Sequence, residues 1–130
     1  MKKIIIFLLP LLFSLQIKAD DTEQTKELGQ IIIHLLVQET GGYSLEYNIN
    51  EARFYADIKV PSIYDNEKII LKLNPLFKKA DFTTLLPWGI QNDGFLRTMQ
   101  AIEGIPILFN YDEKNHILSF VILRENTINK

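Results

Sequence analysis

Residues 43–60 read Tyr-Ser-Leu-Glu-Tyr-Asn-Ile-Asn-Glu-Ala-Arg-Phe-Tyr-Ala-Asp-Ile-Lys-Val, and their pattern decides the fold class. Tyr43, Leu45, Tyr47 and Ile49 alternate with Ser44, Glu46 and Asn48. Beyond Asn50-Glu51, Phe54, Ala56, Ile58 and Val60 alternate with Arg53, Tyr55, Asp57 and Lys59. Such period-2 alternation marks half-buried strands. A two-residue turn at Asn50-Glu51 pairs Tyr47 with Phe54, Leu45 with Ala56 and Tyr43 with Ile58 on one face. Asn48 with Arg53 and Glu46 with Tyr55 then fall on the other. A one-residue slip would turn every side chain over, so the shared apolar face supports a hairpin.

A second hairpin follows the same logic near the C-terminal end. Ile105–Tyr111 and His116–Arg124 flank Asp112-Glu113-Lys114-Asn115. The expected register sets Phe109 against Leu118, Ile107 against Phe120 and Ile105 against Ile122. Leu108, Ile117, Val121 and Leu123 take the opposite face. The last strand is therefore apolar on both sides and belongs inside a sheet or under a helix.

Upstream of the first hairpin, Leu28, Ile31, Ile32, Leu35 and Leu36 recur at i, i+3, i+4, i+7 and i+8, an apolar helical stripe that Ile33 and Val37 widen. Asp21 or Thr22 caps this helix, and Gly41-Gly42 stops it. Glu23, Glu27, Gln30, His34 and Gln38 form its polar strip.

Between the hairpins, Lys68–Leu73 is expected as a strand after a turn at Asp65-Asn66. Asn74-Pro75 reads as a cap followed by proline at the first helical position, which predicts a helix over Leu76–Leu86 stopped by Pro87. Residues 95–103 fit a short helix through Phe95, Leu96, Met99 and Ile102, or a strand entered from a turn at Asp93-Gly94; the helix is favoured. The order α-β-β-β-α-(α or β)-β-β gives an α+β fold: an antiparallel sheet of about five strands with the N-terminal helix packed on one face.

The first nineteen residues carry an address. Lys2 and Lys3 precede the apolar run Ile4–Phe13, and Ser14–Ala19 leads into Asp20-Asp21. This is the layout of a bacterial-type secretory signal peptide, with cleavage expected after Ala19 and export to the periplasm or beyond. The run is shorter than the roughly 20 residues that cross a bilayer, and Pro10 interrupts it. Residues 20–130 then form one exported domain, without a stable membrane anchor after cleavage.

Removal of the leader takes Lys2, Lys3 and Lys18 and no acid, leaving 11 basic residues against 16 acidic ones, a net charge of −5. That balance argues against nucleic acid and anionic lipid, both of which need clustered Lys and Arg. A chain of this size buries roughly two-thirds of its unfolded surface around a single core. With no cysteine, its stability comes from packing, and thiol catalysis and Cys-based zinc sites are excluded.

Motifs for catalysis are missing. His34 and His116 stand on separate elements without metal-ligand spacing, and no HExxH, GxSxG, phosphate-loop or dinucleotide pattern occurs. Glu46 and Asp57 share a face of the first hairpin, and paired acids about 5 to 10 Å apart run glycoside hydrolysis. Arg53 and Lys59 on the same face make an ordinary cross-strand charge lattice the better account.

No catalytic residue, metal ligand or cofactor site is therefore expected. Two features point to binding. Trp88, the single tryptophan, sits in a Pro-Trp-Gly break, where it serves either as an interface anchor or as a plug folded under the loop. The face of Arg53, Tyr55, Asp57 and Lys59, with Glu46 and Asn48, offers residue types suited to partner recognition, although a solvated outer sheet face needs no partner. The expectation is a small exported, non-catalytic envelope protein that engages another exported protein, as inhibitors and immunity proteins do. Its alternatives are a carboxylate-dependent envelope hydrolase and a structural or assembly subunit of an envelope complex.

Overall fold

A computed structural model describes residues 21–50 and 53–123; the expected signal peptide lies outside them. Helix α1 (Asp21–Thr40) forms where its apolar periodicity places it. Its innermost line is Thr25, Gly29, Ile32, Leu36 and Thr40, with Leu28, Ile33, Leu35 and Val37 on the flanks. The small residues bring the helix close to the sheet: a Cβ on Gly29 would enter the Phe54 ring. At the C-terminus Gly41 takes φ 79° and donates to the Val37 carbonyl over 2.9 Å, the left-handed stop that glycine supplies.

Strands β1 (Tyr43–Asn50) and β2 (Arg53–Lys59) form the first hairpin. Its register differs from the expected one by two residues at the tip: Ile49 faces Phe54 and Tyr47 faces Ala56. A bulge between Ser44 and Tyr47 shifts the base, so that Tyr43 lies opposite Lys59. At the tip the two-residue shift preserves the faces, which is why alternation located the apolar side but not the turn. Beyond the bulge the shift is one residue, so Tyr43 falls on the face of Lys59 and Ser44 takes the expected place opposite Ile58.

The segment expected as a strand at Lys68–Leu73 is helical, inside α2 (Asn66–Lys79). Asp65 caps this helix, accepting from the Lys68 N–H over 2.8 Å. Ile69, Leu73, Leu76 and Phe77 line its buried face at helical spacing. Pro75 therefore lies inside the helix rather than at its start. The carbonyl it leaves without an N–H belongs to Leu71 on the exposed side.

The helix expected to run on to Leu86 stops at Lys79 in a Schellman motif. The Asp81 N–H meets the Lys78 carbonyl at 3.2 Å, the Phe82 N–H meets the Phe77 carbonyl at 2.8 Å, and Asp81 takes φ 65°.

Residues 83–90 then form β3 (Thr83–Ile90), an edge strand with register irregularities on both sides of Leu86. Pro87 sits in that irregular stretch, where no ladder N–H is demanded of it. The favoured helix at 95–103 is strand β4 (Leu96–Ile102), entered from a turn in which Gly94 takes φ 90° and the Phe95 N–H donates to Asp93 Oδ1. Pairing on both sides, with β3 and with β5 (Ile105–Asp112), outweighs the weak helical spacing of its apolar residues.

Strand β6 (Ile117–Leu123) pairs Phe120 with Phe109 and Ile122 with Ile107, again two residues from the expected register. The turn takes in His116, at φ 58°. The six strands lie antiparallel in the order β1-β2-β6-β5-β4-β3, one more than the expected number. The doubly apolar β6 occupies the interior between β2 and β5, as its composition requires.

Both helices pack on one face of this sheet. Ile32 and Leu36 of α1 and Ile69, Leu73, Leu76 and Phe77 of α2 meet Phe54, Ile58, Phe109, Phe120 and Ile122 in one core. An aromatic chain runs through it from edge to edge. Tyr47–Phe54, Phe54–Phe120, Phe120–Phe109, Phe109–Phe77 and Phe77–Trp88 have ring centroids 5.2, 6.0, 5.9, 4.8 and 6.3 Å apart. Tyr111, fully buried, donates its hydroxyl to the Tyr64 carbonyl over 2.6 Å.

Candidate binding sites

Two features of this architecture can receive a partner: a cleft at the β3 edge on the helix side, and the opposite face of the sheet. The cleft has a volume of about 350 Å³ between α2, β3 and β4. Phe77, Phe82 and Trp88 wall it with aromatic surface. The Schellman turn holds Phe82 against Phe77, with ring centroids 5.4 Å apart. Trp88 is half-buried and donates its indole N–H to Asn74 Oδ1 over 2.9 Å. An indole N–H only donates, so the bond also fixes which way the Asn74 amide points.

The floor is polar. Thr98 and Gln100 stand on the core face of β4, each 1% exposed, where the same face elsewhere carries Leu96. Burying such groups costs free energy unless they are hydrogen-bonded, and here they form a relay. Thr84 donates to Gln100 Oε1 at 3.0 Å, Gln100 Nε2 to Thr98 Oγ1 at 3.0 Å, and Thr98 to the Leu86 carbonyl at 2.7 Å. The last bond satisfies a carbonyl on the irregular edge strand.

Lys78 stands at the rim without an ion-pair partner among the described residues. Among the described residues no Asp or Glu lines the cleft.

The opposite sheet face is covered by neither helix. Asn48, Tyr55, Val121, Leu108, Met99 and Leu86 pair in succession from β1 to β3, forming one row across all the strands. At about 4.8 Å between strands, this row is roughly 24 Å long, and after Asn48 it is wholly apolar apart from the Tyr55 hydroxyl. Tyr55 and Leu86 are exposed, and the three between them are half-buried by their neighbours. The next row, Asp57, Ser119, Asn110, Arg97 and Gly89, is polar. Within it the Ser119 hydroxyl donates to Asp57 Oδ1 over 2.7 Å. Burial first, and then the Asp57 carboxylate, raise the Tyr55 phenol above its ordinary value.

Comparison with protein-family models, curated proteins and solved structures finds no match to this chain.

The residues singled out from the sequence divide between the two surfaces. Arg53 and Tyr55 lie on the uncovered face, Arg53 opposite Leu123 and Tyr55 opposite Val121. Glu46 falls in the bulge of the edge strand β1 and is exposed. Trp88 lies in β3 on the other side of the sheet, stacked on Phe77, so it does not join them.

His34 is exposed on α1 and His116 lies in the last turn. Among the described residues no group of three or more His, Asp and Glu side chains is placed to hold a metal ion, and no helix is long and apolar enough to cross a membrane.

Sequence reasoning missed the cleft, whose floor and rim are Thr84, Thr98, Gln100, Asn74 and Lys78. One signal was present: Thr98 and Gln100 occupy consecutive inward positions of an otherwise apolar alternation.

Proposed function

We propose that this chain is a small exported, non-catalytic protein that binds another exported protein, in the manner of an inhibitor or immunity protein. The observation that carries this reading is the apolar row Tyr55–Val121–Leu108–Met99–Leu86 on a sheet face that neither described helix covers. A contiguous apolar row on the outside of a small domain supports a contact surface. Its chemistry is that of an interface centre, with an aromatic and a methionine in the row and Arg53 and Arg97 alongside.

Each side chain of the row stands on a strand paired on both sides or on the edge strand β3, so little ordering entropy opposes docking. The leader pattern of residues 1–19 supports export, and the net charge of −5 after its removal disfavours nucleic acid and anionic membrane as partners.

The test is capture from envelope extract by immobilised residues 20–130, alongside the same chain carrying Leu108→Lys and Val121→Lys. A stoichiometric protein partner held by the unmodified chain and lost by the variant is expected, with circular dichroism showing that both are folded. Met99→Ala, a milder truncation in the same row, should weaken capture without abolishing it. No stoichiometric partner, or capture indifferent to all three substitutions, overturns the reading.

A further inference from the structure

The cleft lies on the opposite side of the sheet from the apolar row, and its chemistry points to a different kind of ligand. We propose that it binds a small molecule made of one flat apolar ring and one carboxylate group. The ring packs against Trp88, Phe77 and Phe82, and the carboxylate lies toward Lys78 and the Asn74 amide.

Size sets the first limit. Ligand pockets span roughly 300 to 1,000 Å³, and about 350 Å³ admits a single ring system with a short side chain. Three aromatic walls favour a flat apolar body through offset and edge contacts.

Charge sets the second limit. Among the described residues the rim carries one ammonium group, that of Lys78, and no carboxylate lines the site, so an anion gains and a cation loses. The Asn74 carbonyl oxygen is taken by the Trp88 indole, which leaves its amide N–H groups as donors for an anionic oxygen. The nearby end of α2 does not oppose this. Its Leu76, Phe77 and Lys78 carbonyls are bonded to the Ala80, Phe82 and Asp81 N–H groups, and Lys78 and Lys79 offset the helix dipole.

The floor supplies the third point. Gln100 belongs to the cleft lining and spends one of its two amide hydrogens on Thr98. A core with no use for this site would carry an apolar residue there at lower cost. Phe82 is held by its turn, Trp88 by Asn74 and the floor by its relay, so the site exists before the ligand arrives.

The test uses residues 20–130 labelled with ¹⁵N and three probes that share one phenyl ring and chain length: 3-phenylpropanoate, 3-phenylpropan-1-ol and 3-phenylpropan-1-amine. Trp88 is the only tryptophan, so the indole N–H region holds a single reporter in the cleft wall. The acid is expected to shift this signal and the Gln100 side-chain amide saturably, binding more tightly than the alcohol, and the amine least. Lys78→Gln, at an exposed position, should weaken the acid about fivefold and leave the alcohol unchanged.

Gln100→Leu should weaken acid and alcohol alike. Leu108→Lys, on the other sheet face, should alter neither, which separates this site from the protein-docking row. Absence of a saturable indole shift at about 10 mM probe, equal affinity for acid and alcohol, or indifference to Lys78→Gln overturns the proposal.

Discussion

The Trp88 indole N–H donates to Asn74 Oδ1 over 2.9 Å, tying the edge strand β3 to helix α2 across the mouth of the cleft. The strand needs this tie, because its register breaks on both sides of Leu86 and no described strand pairs with its outer edge. Asn74→Ala removes the acceptor at an exposed position, so the indole turns to water. Stability should fall by about 1 kcal/mol, the usual net value of one hydrogen bond. Tryptophan emission should move to longer wavelength as Trp88 leaves Phe77. A urea titration followed by fluorescence measures both.

The relay beneath that tie makes a sharper prediction. Thr98→Val leaves the Leu86 carbonyl and a Gln100 amide hydrogen without their partner, and Gln100→Leu leaves the Thr84 hydroxyl without its acceptor. Thr98→Val should cost roughly 1–3 kcal/mol, since it strands an amide hydrogen of the buried Gln100, and Gln100→Leu about 1 kcal/mol, since the exposed Thr84 hydroxyl it frees turns to water. The double variant strands fewer groups than the two singles together. Its cost should fall below their sum by about 1 kcal/mol in a double-mutant cycle. Strict additivity would mean that the relay does not act as a unit.

Alkaline pH tests the core at Tyr111. Burial first, then the Glu113, Asp112 and Asp65 carboxylates, hold its phenol far above the ordinary tyrosine range. The unfolded chain releases this proton near pH 10, while the folded chain retains it. Above that pH the unfolded state binds fewer protons, so stability falls as pH rises. Below it the contribution is fully present. Absorbance at 295 nm should show Tyr111 failing to ionise until the protein unfolds, and Tyr111→Phe should flatten the alkaline loss. The same variant should cost roughly 1–3 kcal/mol at neutral pH by leaving the buried Tyr64 carbonyl without its donor.

What was legible in the sequence follows from which signals are local. Period-2 alternation assigned Phe54, Ala56, Ile58, Phe109, Phe120 and Ile122 to one face, and all are core. The same signal is blind to a shift of two, so Ile49 rather than Tyr47 faces Phe54, and Phe120 rather than Leu118 faces Phe109. Pro75 misled because proline favours a first helical turn, whereas the Asp65 cap three residues before Lys68 was the operative start. Bulges broke the alternation of β3, and pairing on both sides overrode helical spacing in β4.

The apolar row was half visible, in Leu108, Val121 and Tyr55, but its continuation to Met99 and Leu86 depends on two strands read as helix. The cleft was hidden for the same reason. Its walls come from α2, β3 and the turn between them, all of which require the correct end of α2.

That end can be tested directly at Asp81. It holds φ 65°, a left-handed conformation that costs any residue with a Cβ and that Gly adopts freely. The Schellman bonds require this conformation, because through them the Phe82 N–H reaches the Phe77 carbonyl and the Phe82 ring reaches the cleft wall. Asp81→Gly should therefore stabilise the fold by about 0.5–1 kcal/mol, with the gain partly offset by the greater freedom of glycine in the unfolded chain. Asp81→Val should destabilise it, because a β-branched side chain tolerates this region worst. Thermal melts of the two variants give the signs. If Val proves as stable as Gly, α2 does not end in this turn, and Phe82 owes its place to something else.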